Sequence, residues 1–378
     1  MTHSRVVSQG TTATSHIRVL LVGPSLDIVG GQSVQLARLL DHFQHTYGVE
    51  VDFLPVNPRL PGPLRYLQRV KYVRTMATSV AYIAQLLCRV HRYDVVHAFS
   101  ASYYSYLLAP LPALAVGKLF KKRTLLNYHS GEADDHLANW RSAVPTMRRI
   151  ADSIVVPSEY LVTVFRRYGL TASAIFNFVD IDLLPYRERD SLQPLFFSNR
   201  NLESLYNVRC TLNAFAVIQK DLPDARLVVA GDGEERAALE AHARSLGLQN
   251  VTFVGRVLPE LMGKFYDEAD VYLNSSDIDN MPLSIIEAYA AGLPVASTDA
   301  GGIPYILRDE ETGLMVPRGD AAGLAAAALR LLREPGLARR LSTQARAECL
   351  RLYVWPAVEP QWLALYSELV HGQAQAAV

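Results

Sequence analysis

The sequence predicts an α/β protein of two doubly wound domains, each a parallel sheet flanked by helices. Three observations carry this. At 378 residues the chain exceeds what one core supports and divides into two units of ordinary size. Short continuous apolar runs, the pattern of strands buried on both faces, alternate with segments of helical periodicity. Those runs end repeatedly in Gly, Ser, Asn or His, at the carboxyl ends of strands where open α/β sheets place ligands.

In chain order, residues 1–15 are polar and rich in Ser and Thr, and read as a disordered tail without the apolar segment of a signal peptide. The first domain is expected over 16–185. Ile17 to Val22 is its first strand, followed by Gly23-Pro24-Ser25, then Gly30-Gly31-Gln32-Ser33 and a helix to about His45. Glycines before a helix start let backbone N–H groups and the helix dipole face a phosphate. The spacing is not G-x-G-x-x-G, which disfavours a nicotinamide cofactor. Val49 to Leu54 is the next strand, and Arg65 to Val90 a long helix with Arg and Lys on one side. Asp94 to Ala98 is a strand containing His97, expected to be structural. Ser102 to Leu119 is helical, broken at Pro110 and Pro112. The basic knot Lys121-Lys122-Arg123 precedes the strand Thr124 to Tyr128, which runs into His129-Ser130-Gly131-Glu132. A histidine there, His129, falls in the ligand crevice. Asp134-Asp135 reads as a helix-start pair rather than a metal motif. After the strand Ile154 to Val156, Ser158-Glu159 cap a helix to Tyr168. Ala174 to Phe178 and the turn Asn177-Phe178-Val179-Asp180 close this half, and Leu183 to Pro194 is the linker.

The second domain is expected over 186–352. It opens on the strand Leu195 to Phe197 and the loop Ser198-Asn199-Arg200-Asn201-Leu202-Glu203. Arg226 to Ala230 ends in Gly231-Asp232-Gly233, a loop free to lie close to a ligand, ahead of a helix from Glu234 to Ser245. Val251 to Gly255 is a strand followed by Arg256 and Val257, then a helix from Pro259 to Glu268. Thr312 to Pro317 holds the last strand, and residues 321–350 read as Ala- and Leu-rich helix. A closing helix is expected within 353–372.

The densest chemistry lies in Tyr272 to Pro304, which reads strand, loop, helix, strand, loop. Asp279 sits in the loop and Glu287 in the helix, eight positions on. That spacing brings both acids to nearly one face and so to one cleft. Gly301-Gly302, after the next strand, offers bare N–H groups to an anion.

This stretch resembles the family 4 retaining glycosyltransferases. The likeness runs through Asp279, Asn280-Met281-Pro282, Leu283, Glu287-Ala288, Gly292-Leu293-Pro294-Val295 and Thr298-Asp299-Ala300-Gly301-Gly302-Ile303-Pro304. The family's first acid is usually Glu, and here it is Asp279. The resemblance implies a GT-B architecture, two Rossmann-like domains facing each other across a cleft, with a C-terminal nucleotide-sugar side and a closing helix that crosses back to the first domain. It implies transfer of a sugar from a nucleotide-sugar donor to an acceptor hydroxyl with retention. The donor is a substrate, so no cofactor is expected, and no metal. It further implies that Gly30 and Gly31 face the donor diphosphate and acceptor, that His129 bonds the donor sugar, that Asp279 holds sugar hydroxyls, and that Glu287 accepts from ribose. Arg200 matches the first of two cations that clamp the diphosphate, and Arg256 and Val257 fall at the base pocket. The second cation is missing: Leu205 stands in its place, which shifts phosphate charge onto backbone N–H groups or another base such as Arg209.

Three widely spaced cysteines, Cys88, Cys210 and Cys349, make neither a disulfide framework nor a metal cluster, and point to a reducing, cytoplasmic compartment. Net charge is zero, yet residues 1–190 hold 21 Lys and Arg against 14 Asp and Glu. A basic first half suits an anionic membrane face or an anionic, lipid-linked or glycan acceptor; nucleic acid is not expected. The apolar segments Ser79 to Cys88 and Tyr106 to Val116 are too short to span a bilayer and read as core helices, or at most as surfaces resting on one. Two rival readings share the pocket: a nucleotide-sugar epimerase of the same shape, and an inactive nucleotide-sugar-binding protein.

Overall fold

The computed structural model describes residues 16–27, 30–60, 62, 66 and 71–372. The tail expected over 1–15 lies outside the described residues, as does most of the first part of the helix expected from Arg65. The first sheet runs β1 (Ile17–Gly23), β2 (Val49–Pro55), β3 (Val95–Ser100), β4 (Arg123–Tyr128), β5 (Ser153–Val156) and β6 (Ser173–Ala174). Its order is β2-β1-β3-β4-β5-β6, with every pairing parallel. Helices α1 (Gly31–Phe43), α2 (Lys71–Arg89), α3 (Tyr103–Leu108), α4 (Pro110–Leu119), α5 (Ala133–Asn139), α6 (Ala143–Ile150) and α7 (Glu159–Arg167) cover it. All six residues of β3 are buried, as a strand covered on both faces requires. The helical stretch breaks where expected: Pro110 takes the first position of α4, where its missing N–H costs nothing. Ser158 caps α7, its hydroxyl accepting from Leu161 N at 3.3 Å.

The second sheet comprises β7 (Leu195–Asn199), β8 (Arg226–Ala230), β9 (Val251–Gly255), β10 (Val271–Asn274), β11 (Val295–Thr298) and β12 (Leu314–Val316). Its order is β12-β11-β10-β7-β8-β9, again parallel throughout. Helices α8 (Val208–Asp221), α9 (Arg236–Ser245), α10 (Pro259–Glu268), α11 (Leu283–Ala290), α12 (Ala321–Arg333) and α13 (Pro335–Leu352) flank it. The single helix expected over 321–350 is two. Glu334 leaves helical geometry at ψ 72°, because the following Pro335 disfavours it there, and Pro335 then starts α13.

Helix α14 (Trp355–His371) packs on β1 and β3, so the end of the chain returns to the first sheet. Val358, Trp362 and Tyr366 join Val19, Leu21 and Phe43 in one buried cluster. Tyr366 bonds His97 Nδ1 at 2.8 Å and Asn127 bonds its Nε2 at 3.0 Å, which accounts for His97 as a buried structural residue.

Candidate active site at the gap between the two sheets

Loops from the carboxyl ends of β1, β3 and β4 face those from β7, β8, β9 and β10 across a cleft of about 410 Å³. The lining brings together Gly30, Gly31, His129, Arg200, Gly231, Arg256, Val257, Asn280, Met281, Pro282, Leu283 and both acids, Asp279 and Glu287. Gly233, Gly301 and Gly302 do not line it.

Arg200 and Asp279 hold each other. The Arg200 Nη2 donates to Asp279 Oδ2 in a short ion pair, while Nη1 donates to Ser284 Oγ at 3.2 Å. The guanidinium lies over the Tyr206 ring, 4.1 Å from its centroid. Asp279 Oδ1 accepts from Asn280 N at 2.9 Å. Burial raises the Asp279 carboxyl against the pull of Arg200, so the pair survives by mutual neutralisation in a nearly dry site. One donor is left over: the Arg200 Nε is buried without a partner. Such an orphan costs about 1–3 kcal/mol, and a phosphate oxygen in the cleft would relieve it.

Glu287 is also engaged, and by the opposite domain. Its Oε1 accepts from Arg38 Nη2 of α1 at 2.9 Å, and its Oε2 from Tyr266 OH at 3.0 Å. Arg38 donates further to Phe178 O at 3.1 Å and pairs with Asp180 at 3.3 Å. Gln35 bonds the Phe178 backbone from both ends of its amide, and His42 meets Asp180 at 2.7 Å. The sequence reading missed this cross-gap cluster. Its signal was present: Gln35, Arg38 and His42 recur at helical spacing along one face of α1.

His129 stacks on Phe99 with ring centroids 5.2 Å apart. Burial pushes its imidazole down to about 3, so it is neutral at ordinary pH, and its buried Nε2 has no partner. Asn280 Nδ2 donates to the His129 carbonyl at 2.8 Å, tying the second domain's loop to the first domain's strand end.

The glycine loops divide by role. Gly302 was expected to offer its N–H to an anion, but that N–H is donated to Asp279 O at 2.9 Å. A Cβ there would stand 1.8 Å from Asn280 O, so Gly301-Gly302 props the loop carrying Asp279 from behind. Gly231 reaches the cleft at φ 130°, and a Cβ on it would meet Arg200 O at 2.0 Å; it fixes the backbone of the arginine loop. Gly233 packs against Leu202 on the far side of that loop.

Leu205 lines the cleft at the place of the missing cation, and its carbonyl accepts from Asp277 N and Ile278 N. Arg209 does not line the cleft; it lies on α8 beside His242, whose imidazole is lowered by burial first and by the Arg209 charge second. Among the described residues, no group of three or more His, Cys, Asp or Glu is placed to hold a metal ion.

Two Rossmann-like parallel sheets with a ligand cleft between their strand ends define the GT-B class. Solved structures agree on the fold. Sucrose-phosphate synthase from Thermosynechococcus elongatus superposes with a TM-score of 0.74 at 22% identity, covering 96% of this chain and 100% of that one. HepE of Anabaena, solved in complex with UDP-glucose, gives 0.74 at 18% identity over 93% of this chain and 100% of its own. The Glycosyltransferase Family 4 model matches residues 29–183, and the Glycosyl transferases group 1 model matches 194–334. The chain belongs to this glycosyltransferase family. Among curated relatives, 2-deoxystreptamine N-acetyl-D-glucosaminyltransferase of Niallia circulans is 30% identical over 41% of each chain. Phosphatidyl-myo-inositol mannosyltransferase of Mycobacterium leprae is 31% identical over 52% of this chain and 54% of the relative. The chain spans about half the length of these relatives.

Proposed function

We propose that the protein transfers a hexosyl unit from a nucleotide-sugar donor to an acceptor hydroxyl, with retention of configuration, in cell-surface polysaccharide or glycolipid assembly. The acceptor is a glycan or a lipid-linked glycan. One observation carries the reading. A buried arginine with a spare N–H stands beside a buried carboxylate, a neutral histidine with a free ring nitrogen, and a helix start, all in one cleft. A departing nucleoside diphosphate needs that charge stabilisation, and the sugar and ribose hydroxyls need acceptors.

In this scheme Arg200 and the start of α1 take the diphosphate, His129 and Asp279 orient the sugar, and Glu287 meets the ribose. Both acids are already held by arginines, so neither is disposed to attack the anomeric carbon. Closing of the two halves would exclude water from the transferring sugar.

The test is a thermal-shift screen of UDP-, GDP- and ADP-sugars, followed by transfer assays with the sugar that stabilises the protein. A donor at a hundred times its dissociation constant adds about 2.7 kcal/mol of stability. Arg200→Ala should abolish both the shift and the transfer. A fold that no nucleotide sugar stabilises would remove the transferase reading. A sugar isomer formed without acceptor would replace it with epimerisation, and binding without turnover on any acceptor would leave an inactive binder.

A further inference from the structure

We propose that the outer face of α2, α3 and the end of α4 seats the protein on an anionic lipid bilayer. Val73, Met76, Val80, Ile83 and Leu87 recur every three or four residues, which is one stripe down α2. Each is 40–72% exposed, while Tyr82 and Leu86 of the same helix, and Val90 just after it, are buried in the core. Helix α3 continues the surface with exposed Tyr104, Leu107 and Leu108. The two helices meet along a groove flanked by Thr75 and Thr78 on one side and Tyr104 and Leu108 on the other. Helix α4 packs on both and ends in exposed Leu119 and Phe120. Apolar surface gathered to this degree on one face marks an interaction site.

Charge selects the occupant. Residues 53–131 contain eleven Lys and Arg and one acid, Asp94; of the eleven, Arg59 pairs with Asp27 and Lys118 with Asp152 from outside the stretch, which still leaves it basic. Asp94 is itself taken by Arg18, through its backbone N–H and its side chain. Lys121 and Lys122 directly follow the apolar end of α4. A second copy of the chain would bring like charge against like charge, whereas anionic headgroups complement the basic rim and acyl chains the stripe. Among the described residues no helix is long and apolar enough to cross a membrane, so the contact is one of lying on the surface.

The face adjoins the cleft. Ala101 lines the cleft and α3 begins two residues later, which would present a lipid-borne acceptor beside the site. That purpose rests on the transferase reading; the binding itself does not.

The test is co-sedimentation of the full chain with vesicles of phosphatidylcholine, with and without phosphatidylglycerol, in the absence of nucleotide sugar. Wild type should partition onto the anionic vesicles and weakly onto the neutral ones, with binding falling as salt rises. Met76→Glu/Val80→Glu and Lys121→Glu/Lys122→Glu should each lower partitioning about tenfold or more. Thermal melts and donor shifts matching wild type would show that both variants fold and keep the cleft. Indifference to lipid charge, or unchanged partitioning in both variants, overturns the proposal. So does a wild-type dimer in sedimentation velocity that Met76→Glu/Val80→Glu splits, since a second copy would then cover the face. Loss of vesicle binding leaves donor binding to be judged separately, and the reverse holds.

Discussion

Replacing Arg38 by Met tests whether the contact across the gap is a structural tie. Met keeps much of the apolar stem and removes two donations, to Glu287 at 2.9 Å and to Phe178 O at 3.1 Å, and the ion pair with Asp180 at 3.3 Å. The Arg38 side chain is 8% exposed and that of Glu287 12%, so the stranded carboxylate finds little water. Removing one partner of a buried pair costs about 3–5 kcal/mol. Asp180 is a quarter exposed and Glu287 keeps Tyr266, which places this case at the low end, about 3 kcal/mol. At roughly 2–4 °C per kcal/mol for units of this size, the melting temperature should fall by about 6–12 °C. Glu287→Gln retains an acceptor for Tyr266 and leaves Arg38 with Asp180, and should cost about 1–2 kcal/mol. The double variant strands no carboxylate at position 287. Its loss should therefore undershoot the sum of the single losses by about 1–3 kcal/mol. Differential scanning calorimetry of the four proteins at one pH closes the cycle. Losses that add within about 0.5 kcal/mol would refute the reasoning, because the two side chains would then act independently.

Leu205→Lys restores a second cation to the cleft wall, and should tighten binding of a nucleoside diphosphate by about tenfold, an effect that shrinks with added salt; calorimetric titration showing no gain would count against the diphosphate lying there. Burial holds both His97 and His129 near 3 when folded, below the ordinary value of about 6.5. The unfolded chain then binds more protons between those values, so stability should fall as pH drops from about 6.5 towards 3, by about 1.4 kcal/mol per unit for each histidine, with no contribution above that window. His97→Asn should flatten the profile measured by urea melts, and a wild-type slope in that variant would contradict the assignment. Gly302→Ala sets a methyl against Asn280 O and should cost at least about 1–3 kcal/mol in a thermal melt, whereas a neutral result would mean that the loop carrying Asp279 is not braced from behind.

The architecture was legible because it rests on local signals. Val95 to Ser100 and Val271 to Asn274 are short apolar runs buried on both faces, and nothing distant alters that reading. The break at Pro110 and the cap at Ser158 follow from single-residue chemistry. Asp279 and Glu287 do line one cleft, but Asp279 stands in the loop before α11, so helical spacing alone did not place it there. What the sequence hid is pairing at a distance. Arg38 and Glu287 stand 249 residues apart with no local pattern linking them, and the glycines of the Gly301-Gly302 turn look identical whether they face a phosphate or the underside of a loop. Tyr206, Ser284 and Tyr266, which hold Arg200 and Glu287, carry no motif and are found only when the chain is folded.

Those pairings bear on how the cleft would work. Arg38 pairs with Glu287 and Arg200 with Asp279, so on the proposed function a donor would enter by exchanging partners and meeting the spare Arg200 Nε rather than by filling bare charges. A diphosphate that draws Arg200 towards itself weakens the hold on Asp279, whose raised carboxyl then needs new donors in a site nearly closed to water. Sugar hydroxyls are such donors. A free diphosphate without its sugar would release Asp279 with nothing to satisfy it. On that reading the Arg200–Asp279 pair would favour the intact donor over the free diphosphate, which would place part of the specificity in the exchange itself.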